Sequence, residues 1–319
     1  MISVYTYLFV GHSLLRIVNA FILGLRLLGY FLQRTRLGRA LVFLSLPVAL
    51  VALALWKPTY TPPIFDAQVL YNQEAWSKVS VEAVMNTAEE LNVPWLLVSS
   101  IPNEGTWKLY ARDPARVIPM LVPAFTRDDR DTWYEDQRML DYIETEIRQR
   151  PYRGIGEVFL SDAQAKTPVA QRVLALAAAH RLVFHTRSDV EGIMHIFSQQ
   201  PTLRVLWAHA GIDVSPERIG ELLEYYPRLW VEVSHRRSVA PRGKLDPAWK
   251  ALMLRYPDRV LVGSGTYTSE YWYKFRTSMS EYRHWLKDLP TDVADNIAYR
   301  NGLALFEIPD NRTQAAIQH

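Results

Sequence analysis

From residue 64 onward, short apolar runs alternate with amphipathic stretches. The runs are IFDAQVL (64–70), WLLVSSI (95–101), VIPMLVPAF (117–125), GIGEVFL (154–160), LVFHT (182–186), RVLWAHA (204–210), LWVEVS (229–234) and RVLVGS (259–264). Between them lie stretches with helical spacing, such as VEAVMNTAEELN, TWYEDQRMLDYIETEIRQR, PVAQRVLALAAAH and PERIGELLEYY. Asp131 and Ser215 are the expected N-caps, and Pro216 suits a first helical turn. Near-continuous apolar strands that alternate with helices predict a parallel sheet covered on both faces. Eight such units predict a (β/α)8 barrel over residues 64–307, with residues 308–319 as a tail. A doubly wound open sheet is the alternative, but no glycine-rich phosphate loop follows the first strand.

The pattern before residue 64 is different. From Ala40 to Trp56 the chain reads ALVFLSLPVALVALALW, without a charge and just long enough to cross a bilayer. Arg34, Arg36 and Arg39 precede it, so the positive-inside rule places the basic loop 33–39 in the cytoplasm and exports everything after Lys57. An uncleaved anchor is favoured over a signal peptide, because the run starts far from the N-terminus and lacks a small-x-small cleavage site. Pro47 implies a kink in the span. Residues 2–33 are also apolar, yet His12, Asn19, Arg26 and Gln33 recur every seven residues, with Arg16 beside them. On a helix these form one polar stripe. Such a helix either lies in the membrane interface or crosses the membrane with its stripe against a partner. Residues 1–57 are therefore expected to be membrane-associated helices, joined to the barrel by a linker at 58–63.

Composition narrows the function. The 319 residues are 49% hydrophobic and 22% charged, with a formal net charge of +3 and no cysteine. That excludes disulfides, thiolate metal sites and a cysteine nucleophile. The small net charge, without a basic run, argues against nucleic acid as a partner. No repeat of solenoid length is present.

In a barrel of this class the chemistry sits where strands end. Those ends carry Gln68 and Leu70, Ser99 and Ser100, Glu157, His185, His209 and Ser264–Gly265. Glu157, His185 and His209 lie on three strands, and a Glu with two His is a known zinc-ligand set. Each is equally compatible with a buried, hydrogen-bonded structural role.

FDAQVLYN, GIGE, FHTRSD, WAHAGI, YPRLWVEVS, YPDRVLVGSGT and the closing DVADNIAYRNGLALF together resemble the amidohydrolase-related metal-dependent hydrolases across residues 64–307. That resemblance implies a metal held by a His-x-His pair on the first strand, a Glu or Lys on the fourth, a His on each of the fifth and sixth, and an Asp on the eighth. Carried over, Glu157, His185 and His209 match. Gln68 and Leu70 stand at the His-x-His positions, and Gly265 stands at the Asp. Leu70 has no lone pair, an amide oxygen is a poor zinc ligand, and Gly265 can neither hold a metal nor accept a proton.

The expectation is a membrane-anchored pseudoenzyme at the bacterial inner membrane, its barrel on the periplasmic side, serving as accessory subunit of a membrane complex without a cofactor. Its partners would be the lipid bilayer and other membrane subunits, met through His12, Arg16, Asn19 and Arg26. Two alternatives stay open. One is an active hydrolase or decarboxylase with a single divalent metal such as zinc on Glu157, His185 and His209. It would take a base from Glu104, Asp128 or Asp129 and shape its pocket with Tyr267, Tyr271 and Trp272. The other is a receptor for a small anion or sugar, using His185, His209, Arg187 and Arg236 at the barrel mouth.

Overall fold

The computed structural model describes residues 61–310. Eight parallel strands follow one another in sequence order around a single sheet. They are β1 (Phe65–Leu70), β2 (Trp95–Ser99), β3 (Val117–Leu121), β4 (Gly154–Phe159), β5 (Val183–Arg187), β6 (Val205–Trp207), β7 (Leu229–Glu232) and β8 (Val260–Leu261). The sheet closes on itself: the Ala67 amide donates to the Val262 carbonyl at 2.9 Å, and the Gly265 amide to the Gln68 carbonyl at 2.8 Å. Closure leaves no sheet edge, so the strands are shielded on both sides and can be apolar throughout.

One main helix follows each strand. These are α1 (Val81–Glu90), α2 (Glu104–Arg112), α3 (Gln137–Gln149), α4 (Pro168–Ala179), α5 (Val190–Gln199), α6 (Pro216–Tyr225), α7 (Pro247–Arg255) and α8 (Ser269–Leu286). Their starts are written locally. Ser80, Thr167, Asp189, Ser215 and Asp246 each accept a first-turn amide, and proline follows the cap of α4, α6 and α7. At α3 the expected cap is corrected: Asp131 lies in a 3₁₀ turn, and Asp136 accepts the Arg138 amide instead. Tryptophan and tyrosine in TWYEDQ fold that stretch into a second short turn, with Trp133 buried, and delay the helix by five residues.

β6 and β8 are much shorter than the apolar runs that announced them, and residues 208–210 and 262–264 beyond them stay buried at the barrel mouth. Below the barrel, Thr291–Asp295, a π turn at Asn296–Arg300 and a last helical turn at Asn301–Leu305 close the strand N-termini. Phe306 stacks on Phe65 and Tyr299 on Trp95, while the Asn301 amide caps the carbonyls of Pro257 and Val260.

No helix among the described residues is long and apolar enough to cross a membrane. The expected membrane helices, the loop 33–39 and the stripe His12, Arg16, Asn19, Arg26 and Gln33 lie outside the described residues, as does most of the tail.

Candidate functional site

Four strand ends bring one polar cluster together beneath the mouth. Glu157, at the end of β4, is 4% exposed and accepts a hydrogen bond from the Gln68 side-chain amide at 2.7 Å. The Arg130 guanidinium lies 3.6 Å from the same carboxylate oxygen. The other oxygen faces His209 Nε2 at 3.5 Å, a charge contact without hydrogen-bond geometry. His209 Nδ1 is 2.9 Å from the Ser234 hydroxyl and 3.1 Å from Glu232 Oε1. Glu232, fully buried at the end of β7, also accepts the backbone amides of His209 and Ser234, at 2.6 and 2.7 Å.

The electrostatics follow from those contacts. Burial alone would lower the basicity of His209, but Glu232 and Glu157 on either side push its pKa up to about 10. Burial would raise both carboxylates, yet His209 holds each below the ordinary range, with Arg130 adding to the effect at Glu157. His209 is thus a buried imidazolium between two carboxylates. His185 is different. Burial drives its pKa down, both ring nitrogens lack hydrogen bonds, and the neutral ring lies outside the lining of the mouth.

His209 sits on a strained turn. His209, Ala210 and Ile212 all have positive φ, at 55°, 44° and 54°, a conformation that costs non-glycine residues and needs outside support. Glu232 supplies part of that support through the His209 amide. Arg236 supplies the rest. Its guanidinium lies over the Trp249 ring and donates to the carbonyls of Ala210 and Ile212 and, at 2.7 Å, of Val214. Arg236 therefore clamps the turn while its side chain also lines the cleft.

The eighth-strand end explains Gly265. Its φ is +65°, and a Cβ there would lie 2.0 Å from His235 Nε2. The His235 ring fills the space into which a side chain at 265 would project, and its Nε2 is 3.1 Å from the Gly265 carbonyl oxygen. Tyr267 and Tyr271 pack edge-on against the same ring, at centroid distances of 5.6 and 4.9 Å. Gly156 permits a similarly close approach. A Cβ there would lie 1.9 Å from the His185 carbonyl oxygen, so only glycine lets β4 approach β5 in front of Glu157.

Above this floor opens a cleft of about 1170 Å³, lined by Gln68, Glu157 and His209 below and by Arg130, Arg187 and Lys274 among the side chains of its wall. The expected pocket aromatics divide. Tyr267 and Tyr271 line it, but Trp272 is buried against Tyr71 and Phe275. The proposed substitute bases are committed elsewhere. Glu104 is paired with Lys108, and Asp129 accepts from the amides of Phe125 and Thr126; Asp128 is exposed in the same turn and lies outside the cleft lining.

A catalytic metal needs several converging lone pairs and one open position. Among the described residues no group of three or more His, Asp or Glu converges in that way. Gln68 presents its amide N–H to Glu157, and Leu70 is an apolar, buried side chain. Glu157 and Glu232 flank His209 on both sides and favour its charged form, and His235 occupies the space at 265. Among the described residues these contacts do not form a converged zinc-ligand set. Composition and strand ends pointed to Glu157, His185 and His209. They missed Glu232, Ser234, His235 and Arg130. Glu232 carried a signal, since it is a lone carboxylate inside the apolar run LWVEVS.

Comparison with solved structures agrees with the fold. A 2,6-dihydroxybenzoate decarboxylase from Rhizobium superimposes with a TM-score of 0.53 at 10% identity, covering 77% of this chain and 99% of that one. A probable 2-pyrone-4,6-dicarboxylic acid hydrolase from Acinetobacter baumannii gives 0.53 at 12%, over 76% and 99%. A decarboxylase of the first kind in complex with 2,6-dihydroxybenzoate gives 0.52 at 10%, over 77% and 99%. No family profile matches the chain, and no curated protein matches it. The class defined is a (β/α)8 barrel with a buried ionic cluster at its strand ends.

Proposed function

We propose that this chain is an amidohydrolase-like barrel that has given up metal-dependent hydrolysis and serves as a membrane-anchored accessory subunit of a membrane protein complex, its barrel on the periplasmic side of the bacterial inner membrane. The observation that carries the reading is the engagement of the strand-end side chains with one another. Gln68 caps Glu157, His209 bridges Glu157 and Glu232, and His235 fills the space at Gly265. Gln68 and His209 are engaged by neighbouring carboxylates, and Leu70 and Gly265 offer no side-chain lone pair. The uncharged apolar run 40–56 and the polar stripe 12–33 supply the membrane half of the reading.

Two measurements test it. Elemental analysis of the full-length chain, purified without chelators, is expected to find no stoichiometric metal; about one zinc per chain would overturn the loss of metal chemistry. Complementation of a deletion strain with His185→Ala is expected to restore the cellular role fully. Loss of that role in a folded variant would mean that the strand-end residues still act on a substrate.

A second reading, binding of a small anion at the mouth, draws on Arg130, Arg187 and Lys274 in the cleft wall. It is compatible with the scaffold reading, and saturable, metal-independent binding by calorimetry would distinguish it.

A further inference from the structure

The lining of the mouth cleft is opposite in sign to the barrel that carries it. All 33 Asp and Glu of the chain fall within residues 61–310, whereas seven of the 36 Lys and Arg lie outside, so the barrel segment carries a formal charge of −4. Among the residues that line the cleft, Arg130, Arg187, Arg236, Arg237, Arg242 and Lys274 stand against only two carboxylates, Glu157 and Glu281. Two of the six cations are committed. Arg130 lies beside Glu157, and Arg236 clamps the turn after β6 with Asp213 nearby. Lys274 lies over the Tyr271 ring at 4.8 Å, and its charge reaches Glu270 four residues earlier. Arg187 is exposed with its guanidinium over the Phe159 ring at 5.7 Å, and Arg237 and Arg242 are exposed. These three arginines make no ion pair and no side-chain hydrogen bond among the described residues.

The free positive charge therefore belongs to the wall and not to the floor, where Glu157 would repel an anion. It also comes from separate elements. Arg187 ends β5, Arg237 and Arg242 lie in two successive 3₁₀ turns of the β7–α7 connection, and Lys274 stands on α8. Thr277 and Ser278, further along α8, line the same cleft, and their hydroxyls make no side-chain hydrogen bond among the described residues. A single carboxylate engages one or two guanidiniums and would leave the rest of this wall unmatched. A phosphate group brings nearly two charges and three strong acceptor oxygens. Two such groups supply about four negative charges, as many as the wall has cations outside Arg130 and Arg236, and spare acceptors for the hydroxyls. Room is not limiting: the cleft of about 1170 Å³ exceeds the roughly 300–1,000 Å³ of ordinary small-molecule pockets.

We propose that the wall of the mouth cleft binds a small organic molecule carrying two phosphate groups, with Arg187, Arg237, Arg242 and Lys274 as its cationic partners and Thr277 and Ser278 as hydroxyl donors. Guanidinium–phosphate pairs supply direction, and the lysine adds a point charge. This rests on the second reading of the mouth as an anion site and gives that site a ligand class. No metal takes part, because the charges are matched by side chains of the wall alone.

The test is calorimetric titration of the full-length chain, with a chelator present, against pyrophosphate, fructose 1,6-bisphosphate, inorganic phosphate and citrate. At least one of the two-phosphate probes is expected to bind saturably, roughly tenfold or more tighter than inorganic phosphate and citrate. Arg237→Ala/Arg242→Ala should weaken that binding by about tenfold or more, as expected for lost hydrogen bonds to a charged group. The thermal unfolding midpoint of this variant should stay in place, since neither guanidinium has a partner to lose. Equal affinity for all four anions, unmoved by the double variant but lost in Arg130→Ala, overturns the two-phosphate ligand and leaves the small-anion reading standing. Citrate binding tighter than either two-phosphate probe overturns the choice of phosphate in favour of a polycarboxylate. Tight binding of a two-phosphate probe that the double variant leaves intact overturns the assignment to the wall. Absence of saturable binding by any of the four sinks both the ligand class and the small-anion reading.

Discussion

Asp66 and His209 contribute to the pH dependence of this barrel in different windows. Asp66 is fully buried and accepts the amides of Ser264 and Gln68 on one oxygen, while its other oxygen has no partner. Burial pushes its pKa up to about 6 from 3.8. A carboxyl raised on folding stabilises the fold below its unfolded pKa, and that contribution is lost as pH rises through the folded value. A displacement of this size corresponds to about 3 kcal/mol. Asp66→Asn keeps the accepting oxygen, so it should raise stability at pH 8 by about 2–3 kcal/mol and flatten the dependence between pH 4 and 6 in urea unfolding curves. His209 is raised above 6.5, so its contribution is complete below pH 6.5 and is lost as pH climbs through about 10. Removing its ring strands two buried carboxylates. His209→Ala should cost about 3–5 kcal/mol, more than His185→Ala, whose ring forms no hydrogen bond to lose. At Gly265, substitution by Asp meets both the left-handed backbone and the His235 ring. We expect a loss of about 2–4 kcal/mol from strain and overpacking, with the overpacking part recovered in Gly265→Asp/His235→Ala and read as coupling in a double-mutant cycle.

At the level of elements, the turn after β6 is held in place by parts remote from it in sequence. WAHAGI contains two positive-φ residues before its glycine and one after, and within it the Ile212 amide donates to the His209 carbonyl at 2.9 Å. The β7 end supplies Glu232, and the loop beyond supplies Arg236, packed over Trp249 of α7. Arg236→Ala should therefore destabilise by about 2–3 kcal/mol, as expected for charged hydrogen bonds to buried carbonyls. The loss should be local: amide exchange should speed up over residues 208–214 before it changes in β1–β5. The capping rules were readable in advance at Ser215 and Pro216 and misplaced at α3, where Asp136 rather than Asp131 starts the helix. The difference is tertiary. Burial of Trp133, whose indole N–H reaches the Phe159 carbonyl, draws TWYE into a turn against the barrel before helical periodicity can begin.

At the level of the whole molecule, the barrel is polarised. One end gathers Glu157, His209 and Glu232 into a closed ionic cluster beneath a cleft, and the other gathers arginines around Glu307. The first arrangement sets His209 between two carboxylates, and the second shares Glu307 between Arg181 and Arg204. Apolar runs and helix spacing made the eightfold alternation legible, because burial on both strand faces leaves a local signature in residue type. The eight β/α units and their order could be read without coordinates.

What residue order could not supply were facts about distance between chain segments. Gln68 and Glu157 are 89 positions apart, yet they share one hydrogen bond. His235 fills the space at Gly265, 30 positions away, only because β7 and β8 are neighbours in a closed sheet. Glu232 looked like an oddity in an apolar run until folding set it against His209, and Arg236, read as a mouth cation, proved also to clamp a turn. The sequence by itself determined the periodicity and hence the barrel. Only the tertiary structure decided which polar groups satisfy one another, because strand closure and burial select partners by proximity in space and make an unpaired charge too costly to keep.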